Sequence, residues 1–418
     1  MLAALETGNL GLLFVLIEAS TLASAALVGL EARASSLEAA WKYVIISSFG
    51  VTIALAGTLF LFYSASGLHL SPDLRLTWPY LFSHAHALAP ASLRLAFLLA
   101  VVGYGTKVGL APMHTWLPDA HAEAPSPASA MLSAALLNTG MYAIMRFLAI
   151  TRVRLGDGFP RGVLLTFGFL SIVIGVLFMI RRGNFNRLFA YSSVEHMGII
   201  AVALGFGGIL GFYGALLQVL NHAIAKAVLF LTSGDVALRY QTREAAGVRG
   251  LLTAVPITGG ALLLASFAVL GSPPFGLFLS ELTIVRAGFA ASGPVFPLLL
   301  LALLAVAFVA FARTTTGMVT GPGTTTPVLT QPVTVGPVVT GAVVTGPAAT
   351  GTVVAEPVLA STVVANTAQP SSSPYRGRVT ALAATAPLVI GLVALLVLGL
   401  WIPAGLDTVI RHCVAVLS

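Results

Sequence analysis

Residues 104–147 read YGTKVGLAPMHTWLPDAHAEAPSPASAMLSAALLNTGMYAIMRF. A lone lysine, Lys107, closes the apolar run that precedes it (LRLAFLLAVVGYGTK). A Gly-Leu-Ala-Pro break follows at Gly109 to Pro112, then a polar segment, then a second apolar helix opened by Pro125 and Pro127. A cation at the end of an apolar span is costly to hold unless something pairs with it or hydrates it. A broken helix at membrane depth is tolerated where it faces protein or a water-filled cavity. Together these features point to a membrane-embedded site for moving a small ion.

Composition agrees with that placement. The chain has 418 residues, 57% hydrophobic and 8% charged, with mean hydropathy +0.97. Soluble domains carry roughly a quarter charged residues, so the expected fold class is all-α, a polytopic membrane protein. The 21 basic and 14 acidic residues give +7, and the excess is scattered between apolar spans. That is the pattern of cytoplasmic loops rather than of a nucleic-acid-binding face. One cysteine, Cys413, rules out an intramolecular disulfide framework and a four-cysteine iron–sulfur or zinc site. The first ten residues are acidic rather than basic, so no cleavable signal peptide is expected.

Apolar spans of crossing length lie near 9–30, 41–63, 93–112, 126–150, 161–181, 187–207, 211–238, 251–271, 277–292, 295–313 and 380–402. Only GSPPFG (Gly271 to Gly276) separates 251–271 from 277–292, so these read as one broken helix. About ten transmembrane elements result. Lys107 sits just before one Gly/Pro break and Glu281 just after the other. Paired discontinuous helices at corresponding places are the mark of repeat-built transporters with midplane sites. The division expected is 1–150 and 151–313 as two corresponding transporter halves, the first short at its N-terminus, 314–379 as a low-complexity loop, and 380–418 as a C-terminal transmembrane helix. Loop alternation gathers eleven basic residues, among them Arg33, Lys42, Arg187 and Arg243, on one face and seven, among them Arg146, Arg152, Arg154 and Arg161, on the other. The richer first face is expected in the cytoplasm. The Thr/Val/Pro/Gly run at 314–375 has no helical period and reads as a disordered loop.

The intramembrane ionisable residues carry the chemistry. Glu18, in LLFVLIEASTLAS, is mid-span, and Lys107 is its natural ion-pair partner. Gln218, His222 and Lys226 are spaced i, i+4, i+8 and share one helix face, as a proton relay needs. Glu195 and His196 read either as an entry to that relay or as a helix-end cluster with Ser192 and Ser193. Each of these has a structural alternative, an ion pair or a satisfied core histidine that only fixes packing. Arg286, a turn and a half past Glu281, reads as a structural partner or a snorkelling side chain. Asp119, His121 and Glu123 have loose metal-ligand spacing, but their proline-flanked segment is expected at the surface, where metal binding is disfavoured.

KVGLAPMHTWLPDAHAEAPSPASAML, RLFAYSSVEHMGI, NHAIAKAVLFLTSGDV and LGSPPFGLFLSELTIVRAGF resemble the antiporter-like membrane subunits of complex I, Mrp antiporters and group-4 hydrogenases. The Ser-Ser-Val-Glu-His-Met-Gly and Ser-Pro-Pro-Phe-Gly-Leu-Phe-Leu-Ser-Glu versions look most like hydrogenase-4 component F and formate hydrogenlyase relatives. The resemblance implies two inverted five-helix repeats around a polar axis, in a multi-pass protein of the cell (inner) membrane. It implies proton translocation driven by redox chemistry, with a NiFe centre and iron–sulfur clusters in partner subunits and no cofactor or metal in this chain. Membrane-arm and peripheral redox subunits are the implied partners. Glu18 and Lys107 match the family's glutamate–lysine pair, Lys226 its later lysine, and Glu281 the protonatable residue on the second broken helix. With His196 and His222 these make the expected proton path. Rival readings are a redox-independent Mrp-type cation/proton antiporter subunit and a non-conducting scaffold. Three departures stand out. The chain opens close to the glutamate helix, where relatives carry further helices. Asn138 occupies a position that is lysine in some relatives, and 314–375 replaces a shorter connection.

Overall fold

The computed structural model of the chain describes residues 1–68, 71, 74–181, 183–322 and 374–418. Among these the regular structure is helical, and only two isolated bridges, Asn9 with Thr77 and Asn184 with Glu244, pair extended backbone. A hydrocarbon environment demands this, because a helix satisfies its own backbone groups.

The membrane elements are α1 (Leu10–Val28), α2 (Ala34–Ser64) and α3 (Pro90–Val108), with the short α4 (Trp116–Glu123) after the first break. Then come α5 (Ser126–Leu155), α6 (Gly158–Met179), α7 (Phe185–Phe206) and α8 (Gly208–Tyr240). The second broken element is α9 (Pro256–Val269) followed by α10 (Gly276–Ser292), and α11 (Val295–Thr320), α12 (Pro374–Leu400) and α13 (Ala404–Leu417) complete the order. Among the described residues eight helices are long and apolar enough to cross a membrane, or nine with the bent α12–α13 pair, roughly the number expected.

Helix starts follow the sequence. Asn9 caps α1 by accepting from the Leu12 amide at 3.0 Å, and Asn184 caps α7 through the amides of Asn186 and Arg187. Small residues set which faces meet. The buried stripe of α2 runs Ser36, Ala39, Tyr43, Ser47, Gly50, Ala54, Gly57, Leu61, and lies against α3. A methyl on Gly103 of α3 would overlap the backbone of Ala54. Gly168 of α6 and Gly198 of α7 cross with equal intimacy, each against the other's carbonyl. In lipid such close approach, rather than hydrophobic exclusion, holds helices together. Gly103→Ala should therefore lower the stability of the protein by about 1–3 kcal/mol, read as a lower thermal midpoint in detergent. An unchanged midpoint would mean that α2 and α3 do not approach this closely.

The two breaks share a construction. Gly109 and Gly271 both take the left-handed conformation, with φ of 81° and 62°. Each is followed by a cis X-Pro bond, Ala111–Pro112 and Pro273–Pro274. The first is pinned from α6, where Ser171 Oγ accepts from the Ala111 amide at 2.9 Å. At the second, Gly276 lies against the Asn221 side chain of α8, with no room for a Cβ.

Three expectations are corrected. Residues 113–123 do not form a surface loop: α4 is helical and wedged against α2 and α7, with Trp116, Leu117, Ala120 and His121 buried. Its prolines start helices instead of interrupting one, as the first turn of a helix allows. The helix before the low-complexity run extends to Thr320, and α12 begins at Pro374, so the loop is shorter at both ends than 314–379. The disorder expected there falls on 323–373, outside the described residues. The C-terminal segment is not one helix either. After Trp401-Ile402-Pro403 the chain bends by 72° into α13, which lays Ile410, Val414 and Leu417 onto the bundle. Apolar residues at i, i+4 and i+7 are the period that marks such a face.

The charged ends sort as loop alternation requires. At one end Glu31 pairs with Arg33 and, at 3.7 Å, with Arg243, while Asp119 takes Lys42 at 3.3 Å and also Arg187. At the other, Arg154 donates to the Leu88 carbonyl and Arg161 to that of Ala291, each at 2.8 Å.

Candidate functional site

Lys107 ends α3 in the interior with no exposed surface. Its ammonium donates to Thr21 Oγ1 at 2.7 Å and to Tyr43 Oη at 2.5 Å, and sits 4.7 Å from the Tyr43 ring centre. Trp116 buttresses this arrangement, its ring 4.5 Å from that of Tyr43 and its indole donating to the Thr106 carbonyl at 2.7 Å. The direct Glu18–Lys107 ion pair is absent. Glu18, half-buried on α1, instead accepts from Ser48 Oγ at 2.5 Å, and its other oxygen is buried without a partner. Hydroxyl groups at closer range occupy the ammonium, which sequence alone does not reveal.

The second cluster lies where α7, α8 and α10 meet. Lys226, His222 and Gln218 line one face of α8, all with no exposed surface. Lys226 Nζ donates to the Phe189 carbonyl at 2.9 Å and to Ser192 Oγ of α7. Glu195 lies one turn further along α7 than Ser192 and is likewise buried. His222 faces His196 at 5.2 Å between ring centres, and neither of its ring nitrogens has a partner. Gln218 pairs with His196 Nδ1 at 3.0 Å and accepts from Ser280 of α10. Glu281 follows Ser280, beside Gln218, its carboxylate folded over Gly271 at the break. Glu195 and His196 are thus mid-helix and buried, not a cap cluster at the helix end. Ser192 and Ser193 serve the interior, the first toward Lys226 and the second to Ser133 of α5 at 2.9 Å.

Between the clusters stands α5. Its π-helical turn, Leu132–Leu136, precedes Asn138, whose amide donates to the Ala134 carbonyl at 2.7 Å and whose Oδ1 has no partner. Such turns recur at functional sites because they leave backbone groups and re-aim side chains. Gly140 packs against Lys107 itself, which brings α5 onto the first cluster.

His121 was missed as an interior residue. It is fully buried, stacked 5.0 Å from Phe230, which is one turn beyond Lys226 on α8, and both its ring nitrogens lack partners. The proline-rich flanks pointed to a loop. The signal that would have placed it inward is the apolar spacing of Leu117, Ala120 and Ala124 beside it. Its sequence neighbours Asp119 and Glu123 turn outward, to Lys42, Arg187 and Ser35. The three do not converge, and no group of three or more metal-ligand side chains is found among the described residues. Arg286 is exposed on α10, as a snorkelling side chain would be.

Orphaned polar atoms at Glu18, His121, Asn138, Asn221 and His222 thus run through the interior from α1 to α8. Buried groups of this kind require water or one another. A helical membrane protein with two broken helices and an interior line of carboxylates, lysines and histidines is the class that fold and site define.

Residues 7–307 match the family described as NADH:quinone oxidoreductase/Mrp antiporter, transmembrane, and the chain belongs to that family. It is similar to the hydrogenase-4 component F homolog of Methylacidiphilum infernorum, 41% identical over 308 residues, covering 73% of this chain and 63% of the relative. NADH-quinone oxidoreductase subunit N of Desulforudis audaxviator is 32% identical over 316 residues, 75% of this chain and 61% of that one. The chain therefore spans less than two thirds of either relative. Among solved structures, the Mrp complex from Dietzia sp. shares the fold with TM-score 0.76 at 23% identity, over 99% of this chain and 74% of that one. A chain of respiratory complex I from Thermus thermophilus gives 0.66 at 25% identity, over 94% and 74%.

Proposed function

We propose that this chain is a proton-translocating membrane subunit of a redox-driven complex of the group-4 hydrogenase or NADH–quinone oxidoreductase kind, seated in the cell (inner) membrane. The observation that carries the reading is the interior line of buried Lys107, His222, His196 and Lys226, ended by half-buried Glu18 on α1 and half-buried Glu281 on the second broken helix. Packing needs none of these charges, and charged groups inside a membrane are costly enough that function is their usual reason. Protonation of Lys107 changes its hold on its neighbours and the field felt by the second cluster. Lys226 and the two histidines relay the change, and Glu281 exchanges a proton at the far end. The nickel–iron and iron–sulfur chemistry that would drive this belongs to partner subunits, with other membrane-arm subunits alongside.

The test is the intact complex in sealed vesicles. Addition of electron donor should produce a pH gradient that a protonophore collapses. A gradient that forms without donor and requires an imposed Na⁺ or K⁺ gradient would instead identify an Mrp-type antiporter subunit.

His121 extends the path toward the end of the bundle that carries Asp119 and Arg187. His121→Leu fills its place with an apolar side chain and removes two unpaired buried nitrogens, a change that packing tolerates well. A roughly tenfold loss of pumping in a fully assembled complex is expected. Pumping at the wild-type level would confine His121 to packing.

A further inference from the structure

The two hydroxyls that hold Lys107 are both oriented to accept. Thr21 Oγ1 gives its own proton to the Ile17 carbonyl at 3.1 Å. Tyr43 Oη lies 2.7 Å from Ser24 Oγ, and Ser24 Oγ in turn lies 2.7 Å from the Ser20 carbonyl. A carbonyl only accepts, so the chain runs from Tyr43 to Ser24 to Ser20. Each hydroxyl therefore turns lone pairs, and no proton, toward Nζ. This is a seat for an ammonium, built from α1 and α2 and buttressed by Trp116. Thr21 follows Glu18 by three residues on α1, so the two side chains are neighbours on one helix face, about 5–6 Å apart at Cβ. Glu18 keeps one buried oxygen without a partner. The hydroxyl seat and the carboxylate thus lie one turn apart on the helix that faces Lys107.

We propose that Tyr43 is a positioning residue for Lys107: its phenol, with Thr21, forms a second seat that holds the ammonium off Glu18, so that the lysine alternates between hydroxyls and carboxylate. The inference rests on the proton-translocation reading and adds to it what sets the open position of the pair. Without the phenol oxygen the ammonium keeps one hydroxyl acceptor and falls to Glu18, where pairing in a low dielectric is strong and slow to release.

The experiment uses Tyr43→Phe in the intact complex, which keeps the ring, its contact with Trp116 and its face toward Nζ. Redox-driven pumping should fall about tenfold with assembly unchanged. The infrared carboxylate band of Glu18, identified by its disappearance in Glu18→Gln, should shift. Thr21→Val removes the other acceptor at nearly constant shape and should act in the same direction, which keeps the test open if Tyr43→Phe does not assemble. Wild-type pumping in an assembled variant, or lost pumping with the Glu18 band unmoved, would overturn the second seat. Lys107→Ala separates the two levels. If it pumps normally, the translocation reading fails; if it does not pump while Tyr43→Phe does, only the role of Tyr43 fails.

Discussion

Lys226→Ala is expected to abolish proton translocation, by about 100-fold or more, while the complex still assembles. The lysine has no exposed surface and its ammonium is spent on Ser192 and the Phe189 carbonyl, both of α7. Removing it leaves Ser192 Oγ without that donor, while the Phe189 carbonyl keeps the hydroxyls of Ser192 and Ser193, at a cost of about 1–3 kcal/mol, which a bundle of this size absorbs. It also removes the only cation in the cluster that Glu195, His196, His222 and Gln218 surround among the described residues. Lys226→Met separates the two effects, since methionine fills much of the volume without charge. Both variants should lose pumping and differ in stability. Electron transfer should be slowed or uncoupled, and native gel electrophoresis checks assembly. If methionine restored pumping, the volume and not the charge of Lys226 would matter.

The second large effect is expected at Glu281. Its carboxylate folds over Gly271 at the break and adjoins Gln218, and the residue is half-buried, the most open ionisable position of its cluster. In the proposed relay this is the position that exchanges protons with water. Glu281→Gln keeps shape and hydrogen bonding but cannot bind or release a proton, so pumping should fall by about 100-fold. Glu281→Asp, with the carboxyl retained on a shorter stem, should recover part of it. Initial rates of donor-driven pH change in vesicles check both. Equal pumping by the glutamine variant would move the exit elsewhere.

Much of this was legible in the residues. Gly109 to Pro112 and Gly271 to Gly276 announced both breaks, because glycine and proline interrupt apolar runs for reasons that do not depend on tertiary context. Gln218, His222 and Lys226 announced a common buried face through their spacing of four. What could not be read was competition among partners. Glu18 and Lys107 are opposite charges in neighbouring spans, yet Thr21, Tyr43 and Ser48 take their hydrogen bonds. Tyr43 did leave a trace, in a stripe of small residues on α2 from Ser36 to Leu61 that only a closely packed helix would carry. His121 was obscured by Pro118, Pro125 and Pro127, which mark helix starts here and a loop in many other sequences. The bend into α13 was missed because Trp401-Ile402-Pro403 reads equally well as the end of a span.

The most direct measurement is the number of protons moved per electron pair by the intact complex in sealed vesicles, wild type against Lys226→Ala, with electron flux recorded in the same sample. A ratio that falls to the background of partner subunits, in a complex of normal composition, is the expected result. An unchanged ratio at unchanged flux would contradict the buried axis as a proton path and leave its charges as packing elements of a scaffold.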